Sequence, residues 1–318
     1  MMSLTLRLLP TLLVAALLAT AAHATDGDRP ATAADKVDPQ RFTKKLDDAY
    51  GAFQRGLYRT AYNLALDKAK AGDAPSQVLV AEILARGLGM PRNEKEAAEW
   101  YRRAAEQGVP EAQFQYALLL VDGRVVKKDK SEAFALMEAA AEGGNALAQF
   151  NFAQMLVDRD PGAKGMVRAV EYYERAAKAG LPDAEYAMAQ VYADGIGGRK
   201  KDEAEARRWL GRAALQNFDT AQLDLGTWLV QGRGGAKDEK RGFRILKQAA
   251  EGGNIAAQNR VAKLYLNGIG TDPDTSFAAA WYILAKRAGL VDPIMEDFMN
   301  GLTDEEIKTA VMRANRLR

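Results

Sequence analysis

The chain has 318 residues, 48% of them hydrophobic and 27% charged, which is ordinary globular composition. Its formal net charge of +2 gives no global electrostatic case for nucleic-acid binding, so no nucleic-acid partner is expected. There is no cysteine and a single histidine, His23, which removes disulfides, lipidated cysteines and cysteine nucleophiles.

Taken from the N-terminus, Arg7 gives a positive start, Leu8–Ala22 is an apolar stretch, and Ala22-His23-Ala24 reads as a small-x-small cleavage site. Residues 1–24 are therefore read as a cleavable signal peptide cut after Ala24. The apolar run is short for a span and Pro10 interrupts it, so no stable membrane span is expected after cleavage. Cleavage also removes His23, leaving no histidine general base and no nitrogen or sulfur ligand for zinc. Residues 25–41 are polar, hold two prolines and show no apolar period, and read as a disordered linker.

The rest of the chain repeats. Ala104-Ala105, Ala140-Ala141, Ala176-Ala177, Ala213-Ala214 and Ala249-Ala250 step by 36, 36, 37 and 36 residues. Four residues after each first alanine stand Gly108, Gly144, Gly180, Asn217 and Gly253. Gln77, Gln113, Gln149, Gln222 and Gln258 mark the same lattice, with Glu185 in the gap, as do Trp100, Leu136, Tyr172, Trp209, Ile245 and Trp281. Self-similarity at this period predicts an all-α solenoid of helix–turn–helix units. In one unit, Phe114, Ala117, Leu118 and Val121 give a first helix over 111–122. Ala133, Leu136, Met137 and Ala140 give a second over about 131–142. The hexapeptide AAEGGN, present at 140–145 and 249–254, reads as helix end, left-handed turn and next helix start, with Asn145 as N-cap. Asn217, in place of glycine, is the next-best residue for the left-handed conformation. A second glycine column, Gly87, Gly123, Gly195, Gly232 and Gly268, reads as the turn within each unit. It is no phosphate loop, because a helix precedes it and no GxxxxGK[ST] occurs. The third unit has Arg159 there, and DRDPGAKG predicts an irregular turn.

Three stretches, AAEWYRRAAEQG (97–108), AVEYYERAAKAG (169–180) and AQVYADGIGG (189–198), resemble Sel1-like repeats, relatives of tetratricopeptide repeats. The resemblance covers 74–290 as six units: 74–110, 111–145, 146–182, 183–219, 220–254 and 255–290. Residues 42–73 resemble an N-terminal tetratricopeptide-like unit turning at Gly56-Leu57-Tyr58. Residues 291–318 read as C-terminal capping helices, with a capping box closed by Thr303 and Glu306. The resemblance implies a right-handed superhelix whose first helices line a concave face, and with the cleavable signal peptide the chain reads as an exported, periplasmic or secreted bacterial protein.

Chemistry has few footholds. The acids mostly sit beside Lys or Arg, and no SxxK, SDN, KTG or Glu-Ser occurs, so no enzyme, cofactor or metal is expected. The aromatic columns (Trp100, Tyr101, Tyr172, Tyr173, Trp209, Trp281, Tyr282) are expected in the core rather than as a sugar-stacking platform. Two surfaces remain. On the concave face, Asn151, Gln154, Gln190, Asp224, Thr227, Arg260 and Lys263 form a polar stripe able to hydrogen-bond a protein or extended peptide. On the turn edge, Lys127, Lys128, Lys130, Arg199, Lys200, Lys201, Lys237, Lys240 and Arg241 form a basic rim, diluted by Asp129, Asp202, Asp238 and Glu239. The expected function is a protein–protein interaction scaffold or regulator, with an envelope sensor as the sharpest partner. The alternative is a cell-envelope factor that binds peptidoglycan, with or without carboxylate hydrolysis.

Overall fold

A computed structural model describes residues 48–317. The signal peptide at 1–24, the linker at 25–41 and the start of the tetratricopeptide-like unit fall outside the described residues. Within them the chain forms helices and no strands. Helices α1 (Asp48–Gln54) and α2 (Tyr58–Lys70) open the array. Six pairs follow: α3 (Ala74–Arg86) with α4 (Glu94–Glu106), α5 (Pro110–Asp122) with α6 (Lys130–Glu142), and α7 (Ala146–Arg159) with α8 (Ala163–Lys178). Then come α9 (Pro182–Asp194) with α10 (Glu203–Leu215), α11 (Asp219–Gln231) with α12 (Glu239–Glu251), and α13 (Ile255–Asn267) with α14 (Thr275–Arg287). The array closes with α15 (Pro293–Asn300) and α16 (Asp304–Arg316). From α1 to α14 each helix packs on the next. At the end the order changes: beyond α13, α14 packs on α16 more than on α15, which it meets where Tyr282 and Lys286 bond Glu296.

The punctuation works as the lattice predicts. In AAEGGN, Asn145 N–H reaches the Ala140 carbonyl and Gly144 N–H the Ala141 carbonyl, both at 3.1 Å, which closes the helix end. Gly144 carries the left-handed φ of 90°, while Gly143 stays helical at −69°. Asn145 Oδ1 then accepts from Ala148 N–H at 2.8 Å and opens α7. Asn217 takes the same corner with φ 62°, the one positive φ outside glycine among the described residues. Asparagine caps do not open every first helix. Val109, Leu181 and Phe218 stand at the cap of α5, α9 and α11, give no side-chain bond, and pack instead on the core. The second helices are more uniform: Asn93, Asp129, Asp202, Asp238 and Asp274 each accept a first-turn N–H. The irregular third unit is visible too. With Arg159 where the other units have the turn glycine, α7 runs on to Arg159, Asp160 ends it at φ −136°, and α8 begins early at Ala163 after Gly162.

The glutamine column is structural. Side-chain amides of Gln77, Gln149 and Gln222 donate to the carbonyls of Ala69, Ala141 and Ala214 at 3.1, 3.1 and 3.3 Å, each eight residues back. Gln113 and Gln258 do the same at 3.4 and 3.3 Å. Each bond stitches a first helix to the end of the helix before it. Glu185 has no amide to donate. It accepts from Gln216 at 2.8 Å instead, and burial pushes its carboxyl above the usual range.

Within each pair the helices meet at small residues. Ala81/Ala97, Ala117/Ala133, Ala153/Ala169, Ala189/Ala206 and Ala262/Ala278 are all buried. The fifth unit has Gly226 and Gly242. A Cβ on Gly226 would lie 2.5 Å from Leu246 Cγ, and one on Gly242 would lie 2.7 Å from the Gly226 carbonyl oxygen. All seven aromatics of the recurring columns are buried, Trp281 and Tyr282 fully.

Candidate functional site

The polar stripe lies on first helices only: Asn151 and Gln154 on α7, Gln190 on α9, Asp224 and Thr227 on α11, Arg260 and Lys263 on α13. In register these are the second and fifth residues after the lattice position of Gln149, Glu185, Gln222 and Gln258. The positions between them, Phe152, Met188, Leu225 and Val261, point into the core and are buried. Helical period therefore sets the spacing of the stripe, one buried row holding two accessible rows on either side. Gln154 and Arg260 are exposed, and the other five are half-buried.

Several of these side chains already have partners. Asn151 donates to its own helix at the Leu147 carbonyl, 2.8 Å away. Asp224 accepts from the Tyr186 hydroxyl at 2.8 Å, tying α11 to α9 across the unit boundary. Burial raises the Asp224 carboxyl above its ordinary range, and the Tyr186 bond opposes that only in part. Burial, then the charge of Asp224, pushes Tyr186 up as well. Lys263 pairs with Asp292 at 2.5 Å, and Asn259 donates to the same carboxylate at 2.8 Å. Asp292 is also the N-cap of α15, accepting from Ile294 N–H at 3.2 Å. Burial would raise this carboxyl, but the bonds from Lys263 and Asn259 leave it below the usual range. The stripe thus has fixed members (Asp224, Lys263) and free ones (Gln154, Arg260).

Tyr186 and Asp292 were not singled out by sequence reasoning. Tyr186 sits in a column otherwise filled by Val78, Phe114, Phe150, Leu223 and Asn259, so its hydroxyl reads as core until Asp224 is placed opposite. Asp292 before Pro293 carried a helix-start signal, but its pairing with Lys263 spans 29 residues of chain and has no local signature.

The basic rim divides in the same way. Arg199 reaches back to Glu174 on α8, Lys201 pairs with Glu203 at 3.3 Å, and Lys237 pairs with Glu239 at 2.6 Å. Asp129, Asp202 and Asp238 are engaged as helix caps. Lys127, Lys128, Lys130, Lys200, Lys240 and Arg241 are exposed and form no ion pair among the described residues. No group of three or more His, Cys, Asp or Glu is placed to hold a metal ion, and no helix is long and apolar enough to cross a membrane, both among the described residues.

Comparison with known proteins agrees with this architecture. The Sel1 repeat family matches residues 74–109, 110–145, 146–181, 182–218, 220–254 and 255–290. The fold is similar to that of a Sel1 repeat protein from Oxalobacter formigenes, at 26% identity and a TM-score of 0.64 over 78% of this chain and 100% of that one. It is also similar to c5321, a protective antigen of uropathogenic Escherichia coli with an SLR fold. That match has 26% identity and a TM-score of 0.55, over 81% of this chain and 63% of that chain. Chitin synthase regulatory factor 3 of Schizosaccharomyces pombe is 36% identical over 91 residues, 27% of this chain and 10% of that protein. The chain therefore spans only about a tenth of that curated relative.

Proposed function

The chain belongs to the Sel1 repeat family, whose members generally mediate protein–protein interaction, and from that premise we propose that it is an exported scaffold or regulator. It holds a protein partner on the face built by its first helices, the concave face of the family. An envelope sensor or signalling protein is the specific partner class in this reading. The observation that carries it is the stripe itself. Two rows on α7, α11 and α13, and one on α9 where Ala187 fills the other place, are polar and accessible while the row between them is buried. In the first two units the same positions include Leu79 and Leu118. Solenoids present such rows as one extended surface. The fixed pairs Tyr186–Asp224 and Lys263–Asp292 hold that surface in shape, and Gln154 and Arg260 are left to contact a ligand.

The test is affinity capture from periplasmic extract, with wild type compared against Gln154→Glu combined with Arg260→Glu. Both sites are exposed, so the variant keeps its helical spectrum. A partner retained by wild type and lost by the variant supports the reading. A partner retained equally by both, or lost only when Lys127 and Lys200 are reversed to Glu, moves binding to the turn rim and favours the cell-wall alternative. Export is checked separately: the protein recovered from the periplasm should begin at Thr25.

A further inference from the structure

One outward-facing column of the second helices departs from charge most sharply in the fourth unit. Two positions one turn apart, facing outward, are filled by Arg102 and Glu106 in the first unit, Glu138 and Glu142 in the second, and Glu174 and Lys178 in the third. They are Lys247 and Glu251 in the fifth unit, and Ile283 and Arg287 in the sixth. In the fourth unit they are Gly211 and Leu215. Gly211 faces open space, with nothing within 4 Å of where its Cβ would stand. Leu215 is 85% exposed, where every other unit has a charge. The missing side chain leaves a shallow depression between α10 and α12, with exposed Leu215 at its edge and the buried leucines Leu225 and Leu229 of α11 beneath it.

Four arginines frame it: Arg207, Arg208, Arg212 and Arg241. Arg208 is neutralised by Glu205. Arg207 donates to the carbonyls of Arg233 and Ala236 at 3.3 and 3.0 Å, and forms no ion pair among the described residues. Arg212 lies over the Trp209 ring at 4.6 Å, which fixes its guanidinium without spending its charge. Arg241 has no carboxylate partner among the described residues. An exposed leucine beside a depression over apolar core, inside a net positive frame, calls for an occupant that is apolar at its centre and acidic around it. We propose that this depression is a second docking site, for an acidic segment of a partner protein that inserts a leucine-sized side chain between α10 and α12. Charge complementarity selects the acidic segment, and the exposed leucine selects a protein over a bare polyanion. The site lies on second helices and stands independently of the first-helix face.

The probe is a short fluorescein-labelled peptide of glutamate and leucine, titrated with the full chain and read by anisotropy. Polyglutamate of the same length and phosphatidylglycerol vesicles serve as comparisons. Saturable binding of the mixed peptide is expected, weakened by roughly tenfold or more in Arg212→Glu combined with Arg241→Glu. Gly211→Arg is the decisive variant. It adds positive charge, places arginine where Arg102 stands in the first unit, and covers the depression, so it should also weaken the peptide. If Gly211→Arg tightens binding, or polyglutamate binds as well as the mixed peptide, the surface is only a charge field and the proposal fails. Binding of the vesicles alone overturns it equally.

Discussion

At the scale of single residues, the lattice shows its logic most plainly where one unit departs from the others. Asn217 holds a left-handed corner that glycine holds elsewhere, and its Oδ1 also accepts from Gln248 at 3.0 Å. Asn217→Ala keeps a Cβ in that region but loses the side-chain hydrogen bonding that lets asparagine tolerate it, and should cost about 1 kcal/mol, whereas Asn217→Gly loses the same bond but relieves the Cβ strain and should change stability by only a few tenths. Urea denaturation of the two variants separates them. Glu185 is the matching departure in the glutamine column. Its folded pKa is raised by burial, so the folded state holds its proton to higher pH than the unfolded state does. Stability from this group therefore falls as pH rises through the folded pKa, and its carboxylate is a cost at neutral pH. Glu185→Gln removes that charge and supplies the missing amide donor toward the Ala177 carbonyl. It should stabilise the protein by about 1 kcal/mol at pH 7, with the gain shrinking as the pH is lowered toward the folded pKa. A gain that grows on acidification would contradict this assignment. Both departures were visible in the sequence as breaks in a column. What the column was for was not visible, because a bond from Gln77 to the Ala69 carbonyl depends on how two helices meet.

At the scale of helices and turns, the sequence was legible wherever a signal is local. Helix period, glycine corners and the Thr303–Glu306 capping box are all found where the residues place them, the box with Thr303 N–H donating to Glu306 at 2.8 Å. The turn glycines carried more than a turn. In GRGG and GIG, a Cβ on Gly234 or Gly270 would collide with the carbonyl oxygen of Glu203 or Glu239, at 2.3 and 2.2 Å, so glycine lets each turn sit close against the second helix of the unit before it. That contact joins residues about one repeat apart and leaves no mark beyond the glycine. The fifth unit extends the point. Gly226 and Gly242 are mid-helix, where alanine ordinarily gains about 1 kcal/mol. Here the added Cβ meets Leu246 and the facing helix backbone, so Gly226→Ala and Gly242→Ala should each destabilise by about 1–3 kcal/mol. Half-buried Gly211, where an added Cβ meets nothing within 4 Å, should show the ordinary gain on change to alanine. Denaturation midpoints of the three variants test the contrast directly.

At the scale of the whole molecule, the described helices form a chain of neighbour contacts, and stability is a sum of units and the interfaces between them. The architecture was legible from period alone. The candidate site was legible only as a set of rows, since sequence cannot show that Asp224 is held by Tyr186 or Lys263 by Asp292. Those two bonds turn a list of polar residues into a surface with fixed and free members. They also explain why the seven residues of the stripe should not contribute equally to binding. The most direct test of this account is amide hydrogen exchange of the chain, alone and with the partner whose capture depends on Gln154 and Arg260. The account predicts added protection concentrated on α7, α9, α11 and α13. Added protection on the second helices or the basic turns, with the first helices unchanged, would contradict it.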